Sequence, residues 1–292
     1  MIMLAGIDRK LSGLPLGRSD STCDGVGMNT FDAEPISQVL AAPLTATHLS
    51  LGRSLWTFSG AHGGLVLAML TAAMRQRAAG RRLRQVTGQF RRPLRSEFEL
   101  EVVDEGLGKT VTWLSAHAKA KGSAAVSASA VFAEGALELA PFAPAMPPAP
   151  PPSECPLFTV PEDFVPFARR TELRPVGTAR PYSGGELPEL VTWLRFVDDD
   201  LPPDDERLIV LMDSLAPSYA AVLSALAPIP TVTFSVTPGA GLARASSPWL
   251  LLRARTDVSR GDGWLVERLD AWAPDGAHLG SGEQLRLVMN VL

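Results

Sequence analysis

The chain has 292 residues, 46% of them apolar, which is enough for a large hydrophobic core and excludes a disordered chain or a small disulfide-stapled domain. Its 27 basic and 31 acidic residues give a net charge of -4, so no strong overall field attracts nucleic acid or an anionic membrane. A small or neutral ligand is therefore the expected partner. The cysteines, Cys23 in a polar leader and Cys155 in a proline-rich stretch, form no disulfide framework and favour a reducing compartment.

The first 27 residues show neither helical nor strand periodicity, and we expect a disordered leader there, with Met1 and Met28 both candidate starts. The charges of this leader follow a very short apolar patch, the reverse of the order in a secretory signal. The longest apolar helical run, LVLAMLTAAM at 65–74, is about ten residues, whereas a membrane span needs ~20. The sequence therefore predicts a cytoplasmic protein without a membrane partner.

The first half predicts one helix and an antiparallel sheet. The stretch WTFSGAHGG at 56–64 begins as a strand, breaks at glycines and leads into the apolar helical run. Four segments with strand periodicity follow, joined by tight turns: RQVTGQFRRP, EFELEVVDEG, TVTWLSAHAKAKG and AAVSASAVFAEG. A stretch rich in proline, residues 140–156, cannot build a ladder or a helix interior and predicts an extended connector.

The second half repeats this order of elements. A strand-like ELVTWLRFVDD leads through LPPDDE into a helical RLIVLMDSLAPS, and four more strand-like segments follow. Three landmarks align at similar offsets: Gly63 with Asp213, Trp113 with Trp264, and Gly122 with Gly276. The last offset places Ala130 opposite Gln284. The halves therefore look like a duplication in which the second half carries the polar chemistry.

The predicted organisation has four parts. They are a leader at 1–27, an N-terminal repeat at 28–139, a linker at 140–156 and a C-terminal repeat at 157–292.

Six segments, by their order and spacing, resemble the thioesterase II-like acyl-CoA thioesterases: HGGLVLAML, FRRP, LMDSLAPS, PTVTFSV, WLLLRART and DGAHLGSGEQLRLV. The resemblance extends from about residue 45 to residue 290. It implies an α+β double hot-dog fold of two repeats, each a long helix wrapped by a curved antiparallel sheet. It also implies hydrolysis of acyl-CoA to a free acid and coenzyme A, no cofactor, and association into a homo-oligomer.

The catalytic residues implied by the resemblance are Asp213 on the second helix, Thr231 at the start of the next strand, and Gln284 in the last strand. A carboxylate can accept a proton from water. A hydroxyl and an amide can supply the donor and acceptor that hold this water in line with a carbonyl.

Two questions of register remain open at these positions. The family often has an acid two residues after the hydroxyl, where this chain has Thr233, and Ser235 follows it. Since alternate residues share one strand face, Thr233 or Ser235 could take the role assigned to Thr231. Alternation also does not decide whether Glu283 or Gln284 faces inward, and the resemblance favours Gln284.

The HGG start of the first helix predicts a substrate-binding element. Gly63 and Gly64 allow close approach, and free amides at a helix start suit a thioester oxygen that becomes negative during attack. The same glycines equally fit tight packing of the helix through the sheet. His62, Thr233 and Ser235 are assigned to the same substrate-binding group. A lone histidine here nevertheless fits a helix cap or packing partner better than a base.

Other chemistries lack their motifs. The four histidines lie far apart without a Cys/His pair at ligand spacing, so no metal site is expected. Nucleotide-binding glycine loops and a G-x-S-x-G elbow are missing, so water would have to attack the thioester. Two alternatives stay open: a non-catalytic acyl-CoA binding protein, and a hot-dog hydratase or dehydratase. The latter enzymes usually pair an acid with a histidine, and the second helix has none near Asp213.

Overall fold

The computed structural model describes residues 29–42, 48–135, 137, 139–140 and 142–289, and the predicted leader lies outside the described residues. The first half contributes β1 (Asn29–Phe31), α1 (Ile36–Ala41), β2 (His48–Leu51), α2 (Gly63–Arg75), β3 (Arg82–Phe90), β4 (Phe98–Leu107), β5 (Val111–Ala120) and β6 (Ser123–Ala133). The second half contributes β7 (Thr171–Pro175), β8 (Glu189–Phe196), α3 (Asp205–Met212), β9 (Thr231–Pro238), β10 (Leu250–Ser259), β11 (Trp264–Trp272) and β12 (His278–Leu287).

The strands form one twelve-stranded sheet in the order β1-β2-β4-β5-β6-β3-β9-β12-β11-β10-β8-β7. In each half, the strand that follows the main helix is the innermost one, and these two strands, β3 and β9, pair at the centre of the sheet to join the halves. Moving outward, β6, β5 and β4 on one side correspond to β12, β11 and β10 on the other. This arrangement confirms the predicted α+β repeat in outline.

The register of the central strands supports one landmark of the sequence alignment. Val86 of β3 lies opposite Ala130 of β6, and Phe234 of β9 lies opposite Gln284 of β12. Ala130 and Gln284 therefore lie on strands that occupy corresponding places in the two halves, each paired with a central strand. The duplicated sheet carries a methyl group in one half and a buried amide in the other.

The expected pair of long helices is not confirmed. Helix α2 has 13 residues, whereas α3 has only eight. Helix α3 is capped at its start by Asp204, whose carboxylate accepts the Arg207 N–H. It ends before Asp213, whose backbone is no longer helical, with φ -92° and ψ 1°. Pro217 follows shortly after, and a proline cannot continue a helix interior. No helix of the described residues is long and apolar enough to cross a membrane.

The two main helices pack against each other in opposite directions. Arg75 at the end of α2 forms ion pairs with Asp205 and Glu206 in the first turn of α3, at 2.7 and 2.8 Å. These charges complement the dipoles of both helices. At the other end of the pair, the start of α2 meets Asp213. The alignment of Gly63 with Asp213 as equivalent positions is therefore wrong, because one begins its helix and the other follows its helix.

The main core lies between these helices and one face of the sheet. Every residue of α2 from Gly64 to Met74 is buried, as expected for a helix that is apolar on all sides. On the opposite face of the second half, the proline-rich segment packs as an extended strap. Its carbonyls at Pro144 and Pro150 accept the indole N–H groups of Trp272 and Trp193, at 2.9 and 2.8 Å.

Candidate active site

Asp213 lies where the end of α3 meets the start of α2, with a side chain only 11% exposed. One carboxylate oxygen, Oδ2, accepts the Gly64 N–H at 2.7 Å, and Oδ1 accepts Nε2 of Gln284 at 2.7 Å. The partial positive charge at the start of α2 stabilises the ionised carboxylate. The structure thus brings together three of the predicted site residues from three different elements.

The glycines at the start of α2 allow this close contact. A Cβ on Gly64 would lie 2.6 Å from Cβ of Asp213 and 3.1 Å from the Ile209 carbonyl oxygen. A Cβ on Gly63 would lie 3.1 Å from the Phe90 ring and 3.2 Å from Oδ2 of Asp213. Packing against α3 therefore accounts for Gly64. The amide of Gly63, at the first helical position, has no partner within the helix.

His62 caps α2 and is 2% exposed. Its Nδ1 accepts the Leu65 N–H at 3.1 Å, and its ring stacks on Phe167 with centroids 4.1 Å apart. Burial lowers the pKa of His62 below its ordinary value, although Asp213, whose Oδ2 lies 3.9 Å from Nδ1, acts in the other direction. These contacts fit the cap and packing roles considered for this histidine. Its contact with substrate stays a prediction.

A β-bulge shifts the register of β9 against β12. Thr233 lies opposite Leu285, but Thr231 lies opposite Arg286, so Val232 is the extra residue of the bulged strand. Thr231 consequently faces the same side of the sheet as Arg286.

The three candidate hydroxyls therefore do not share one face, and the expectation that they do is wrong. Because side chains alternate along a strand, Thr231 faces the side of Gln284, while Thr233 and Ser235 face the other side. The Ser235 hydroxyl instead bonds the Thr87 hydroxyl of β3 at 2.8 Å. Within the described part of the chain, Thr231 makes no hydrogen bond to Asp213 or Gln284.

Gln284 is completely buried, while its neighbour Glu283 is exposed. Its Oε1 accepts a guanidinium N–H of Arg286, which in turn donates to Glu267. Sequence reasoning missed Arg286 and Glu267 as members of this cluster. Their only signal is that residues 284 and 286 share a strand face, and the position of Glu267 depends on the pairing of β11 with β12.

Metal ligation has no support in the described ranges, where no group of three or more His, Cys, Asp or Glu side chains is arranged to hold an ion.

Two family models match the chain. The acyl-CoA thioesterase N-terminal domain matches residues 53–133, and the acyl-CoA thioesterase C-terminal domain matches residues 147–288. The chain therefore belongs to the acyl-CoA thioesterase family. A search of curated proteins finds no match.

Solved structures with similar folds support the architecture. A protein of unknown function with a hot-dog fold from Alicyclobacillus acidocaldarius is 21% identical, with a TM-score of 0.77 over 87% of this chain and 99% of that one. A candidate thioesterase II from Thermobifida fusca is 20% identical, with a TM-score of 0.73 over 83% and 92%. An acyl-CoA thioesterase II from Mycobacterium marinum is 18% identical, with a TM-score of 0.63 over 78% and 89%. At these identities the likeness establishes the fold, which is a hot-dog fold.

Proposed function

We propose that the protein hydrolyses acyl-CoA thioesters to a free acid and coenzyme A by a water activated at Asp213. Membership of the family supports thioester chemistry in general. The single observation that supports the finer proposal is the Asp213 carboxylate, which Gly64 and Gln284 hold by one hydrogen bond on each oxygen. A carboxylate that is held in this way and still 11% exposed is an oriented proton acceptor at the edge of a buried site.

The reaction proceeds by direct attack of water. Asp213 takes a proton from the water as its oxygen bonds the thioester carbon. The carbon–sulfur bond then breaks, and the departing coenzyme A thiolate takes the proton from Asp213, which restores the carboxylate. The products are one carboxylic acid and one thiol.

Three further groups assist this step in the proposal. The second N–H of the Gln284 amide and the hydroxyl of Thr231, which face the same side of the sheet, orient the water. The amide of Gly63 at the start of α2 donates to the thioester oxygen as it becomes negative. Acyl-CoA is accordingly the substrate, and His62 shapes this end of the site by capping the helix.

A hydratase or dehydratase has less support. Such a reaction would need a histidine that exchanges protons beside the acid. His62 lies beside Asp213, but Nδ1 is engaged by the Leu65 N–H and burial lowers the pKa of the ring. A non-catalytic acyl-CoA binder remains the main alternative, and turnover decides between the two.

Thiol release from a panel of acyl-CoAs tests the proposed base. Asp213→Asn keeps the side-chain shape but cannot accept the proton, so we expect kcat to fall roughly 10²-fold or more with affinity for a non-hydrolysable acyl-CoA thioether nearly unchanged. Gln284→Ala should lower kcat by a smaller factor, about 10-fold to 10²-fold, because the amide orients water without taking its proton. Asp275→Asn, in an exposed turn, is the matched control and should leave kcat unchanged.

The same assay separates the hydroxyls. Thr231→Val should lower kcat roughly 5-fold, the value of one uncharged hydrogen bond of about 1 kcal/mol, whereas Thr233→Val and Ser235→Ala on the other face should not. Full turnover by Asp213→Asn would contradict the assignment of the base. No turnover by the unaltered protein on any acyl-CoA would favour the binder.

A further inference from the structure

A buried ion pair lies beside Gln284. Arg286 is 5% exposed and Glu267 is 1% exposed. The guanidinium donates through Nε to Oε2 of Glu267 and through Nη2 to Oε1 of Gln284. The remaining oxygen of Glu267 accepts the Ser218 N–H, and Nη1 of Arg286 donates to the Ile229 carbonyl at 3.4 Å.

Stability alone does not explain this pair. Removing two charges from water is costly, and apolar replacements of buried pairs are often neutral or stabilising. Among the described residues, no buried side-chain nitrogen or oxygen lacks a partner, so the pair belongs to a fully satisfied network. The network runs from Glu267 through Arg286 and Gln284 to Asp213.

The position of Gln284 in this network constrains its amide. A glutamine amide has two nearly isosteric orientations that exchange its oxygen and nitrogen. Without other partners, the Gln284 amide would place its nitrogen toward Asp213 only while Asp213 is ionised, because the ionised carboxylate can only accept hydrogen bonds. Once Asp213 holds the proton taken from water, its O–H could donate to the glutamine oxygen, and the reversed amide would stabilise the protonated acid.

Arg286 prevents that reversal because a guanidinium only donates. With the amide reversed, two donors would face each other in a buried place, and a buried donor without an acceptor is costly. The amide is therefore held with its N–H groups toward Asp213 in both protonation states. Glu267 holds the guanidinium in place through a second hydrogen bond.

We propose that Arg286, held by Glu267, is a positioning residue that fixes the Gln284 amide as a donor toward Asp213 throughout the catalytic cycle. This inference rests on the proposed function of Asp213 and Gln284. Two other titratable groups of the described residues face this cluster: His62 at the start of α2, 3.9 Å from Asp213, and Tyr182, whose partly buried phenol feels the charge of Arg286.

A double variant tests the inference without leaving a buried charge unpaired. In Glu267→Leu with Arg286→Met, we expect kcat to fall about 10-fold, KM to change less than about 2-fold, and the acidic limb of the kcat profile to move to higher pH. The limb moves because the freed amide can reverse and stabilise protonated Asp213. Adding Gln284→Ala to this double variant should lower kcat by a clearly smaller factor than Gln284→Ala does in the unaltered protein. The reason is that the double variant and Gln284→Ala remove the same oriented donor.

The matched control is Arg253→Met with Asp270→Leu, which removes a partly buried ion pair of 3.2 Å between β10 and β11. Asp270 lies on the same strand as Glu267 but faces the other side of the sheet. It should leave kcat and the pH profile unchanged. Glu267→Gln, which keeps the side-chain shape, provides a second test if the double variant does not fold. It should move the acidic limb in the same direction by a smaller amount.

The outcomes separate this inference from the proposed function. An inactive Asp213→Asn protein together with an unmoved acidic limb in the Glu267 and Arg286 variants would overturn the positioning role and leave the base assignment intact. A fully active Asp213→Asn protein would overturn the proposed function itself, and the positioning role with it.

Discussion

Asp213 and His62 are neighbours with opposite surroundings. The carboxylate of Asp213 accepts one N–H on each oxygen, and these hydrogen bonds hold its ionised form. The donors are Gly64 and Gln284, and not His62. The ring of His62 is stacked on Phe167 and cut off from water, which disfavours its charged form. Of the two residues, Asp213 is therefore the one whose orientation suits the proposed role of base.

The buried His62 should make stability depend on pH. Its pKa lies below the ordinary histidine value of 6.5 in the folded protein, chiefly because burial disfavours the charged ring. The unfolded chain then binds the proton more readily, so the stability from the neutral ring is present above about pH 6.5 and is lost as the pH falls through the lowered pKa. His62→Asn keeps a capping acceptor without this titration.

Denaturant unfolding between pH 7.5 and pH 5 measures the difference. We expect the free energy of unfolding to fall more steeply with acidification for the unaltered protein than for His62→Asn. Parallel curves would show that the ring does not titrate differently in the two states.

The contact between α2 and α3 depends on the absence of a side chain at one position. At Gly64 an added Cβ meets the Cβ of Asp213 and a backbone carbonyl, neither of which can move without moving α3. At Gly63 the nearest atom belongs to the edge of the Phe90 ring, which can turn. The two adjacent glycines therefore differ in how strictly the fold requires them.

Gly64→Ala should destabilise the protein by about 1–3 kcal/mol, even though alanine favours a helix over glycine by up to about 1 kcal/mol. It should also lower kcat, because the methyl group displaces Asp213. Gly63→Ala is the comparison, and its loss of stability should be clearly smaller. Urea unfolding and thiol release measure both effects, and equal losses for the two variants would contradict the argument.

Local patterns in the sequence predict the elements better than they predict how elements meet. The alternating segments and the apolar run at 65–74 correspond to β strands and to α2, because burial on one face or on all faces leaves a direct periodic signal. The short α3 was not predicted, since apolar residues continue past Asp213. The bulge at Val232 was not predicted either, because TVTF alternates as a regular strand does.

The candidate site likewise contains residues that the sequence predicts and residues that only the folded structure brings together. Asp213 and Gln284 were assigned through a family resemblance, and the structure joins them by a hydrogen bond. The partnership of Arg286 with Glu267 depends on the register between β11 and β12, which is a tertiary property that no local period encodes.

The whole molecule forms the site from both halves of the chain. Gly64 and His62 come from the first half, and Asp213 and Gln284 come from the second. The halves share one sheet through β3 and β9, and the ion pairs of Arg75 join their helices at the far end. Neither half alone contains the proposed base together with the helix start that holds it. A homo-oligomer, implied by the resemblance, stays a prediction.

Cutting the connector between the halves tests this dependence. A protease site inserted between Phe142 and Ala143, both exposed, allows cleavage of the folded protein. We expect the two pieces to stay together on gel filtration, to melt in one transition near that of the uncut protein, and to keep thioesterase activity. Their shared sheet, the paired helices and the strap bond from Trp272 to Pro144 all remain after the cut. The first piece produced alone should be inactive because it lacks Asp213. Separation of the pieces without denaturant, or loss of activity on cutting, would show that the covalent connection and not the interface maintains the site.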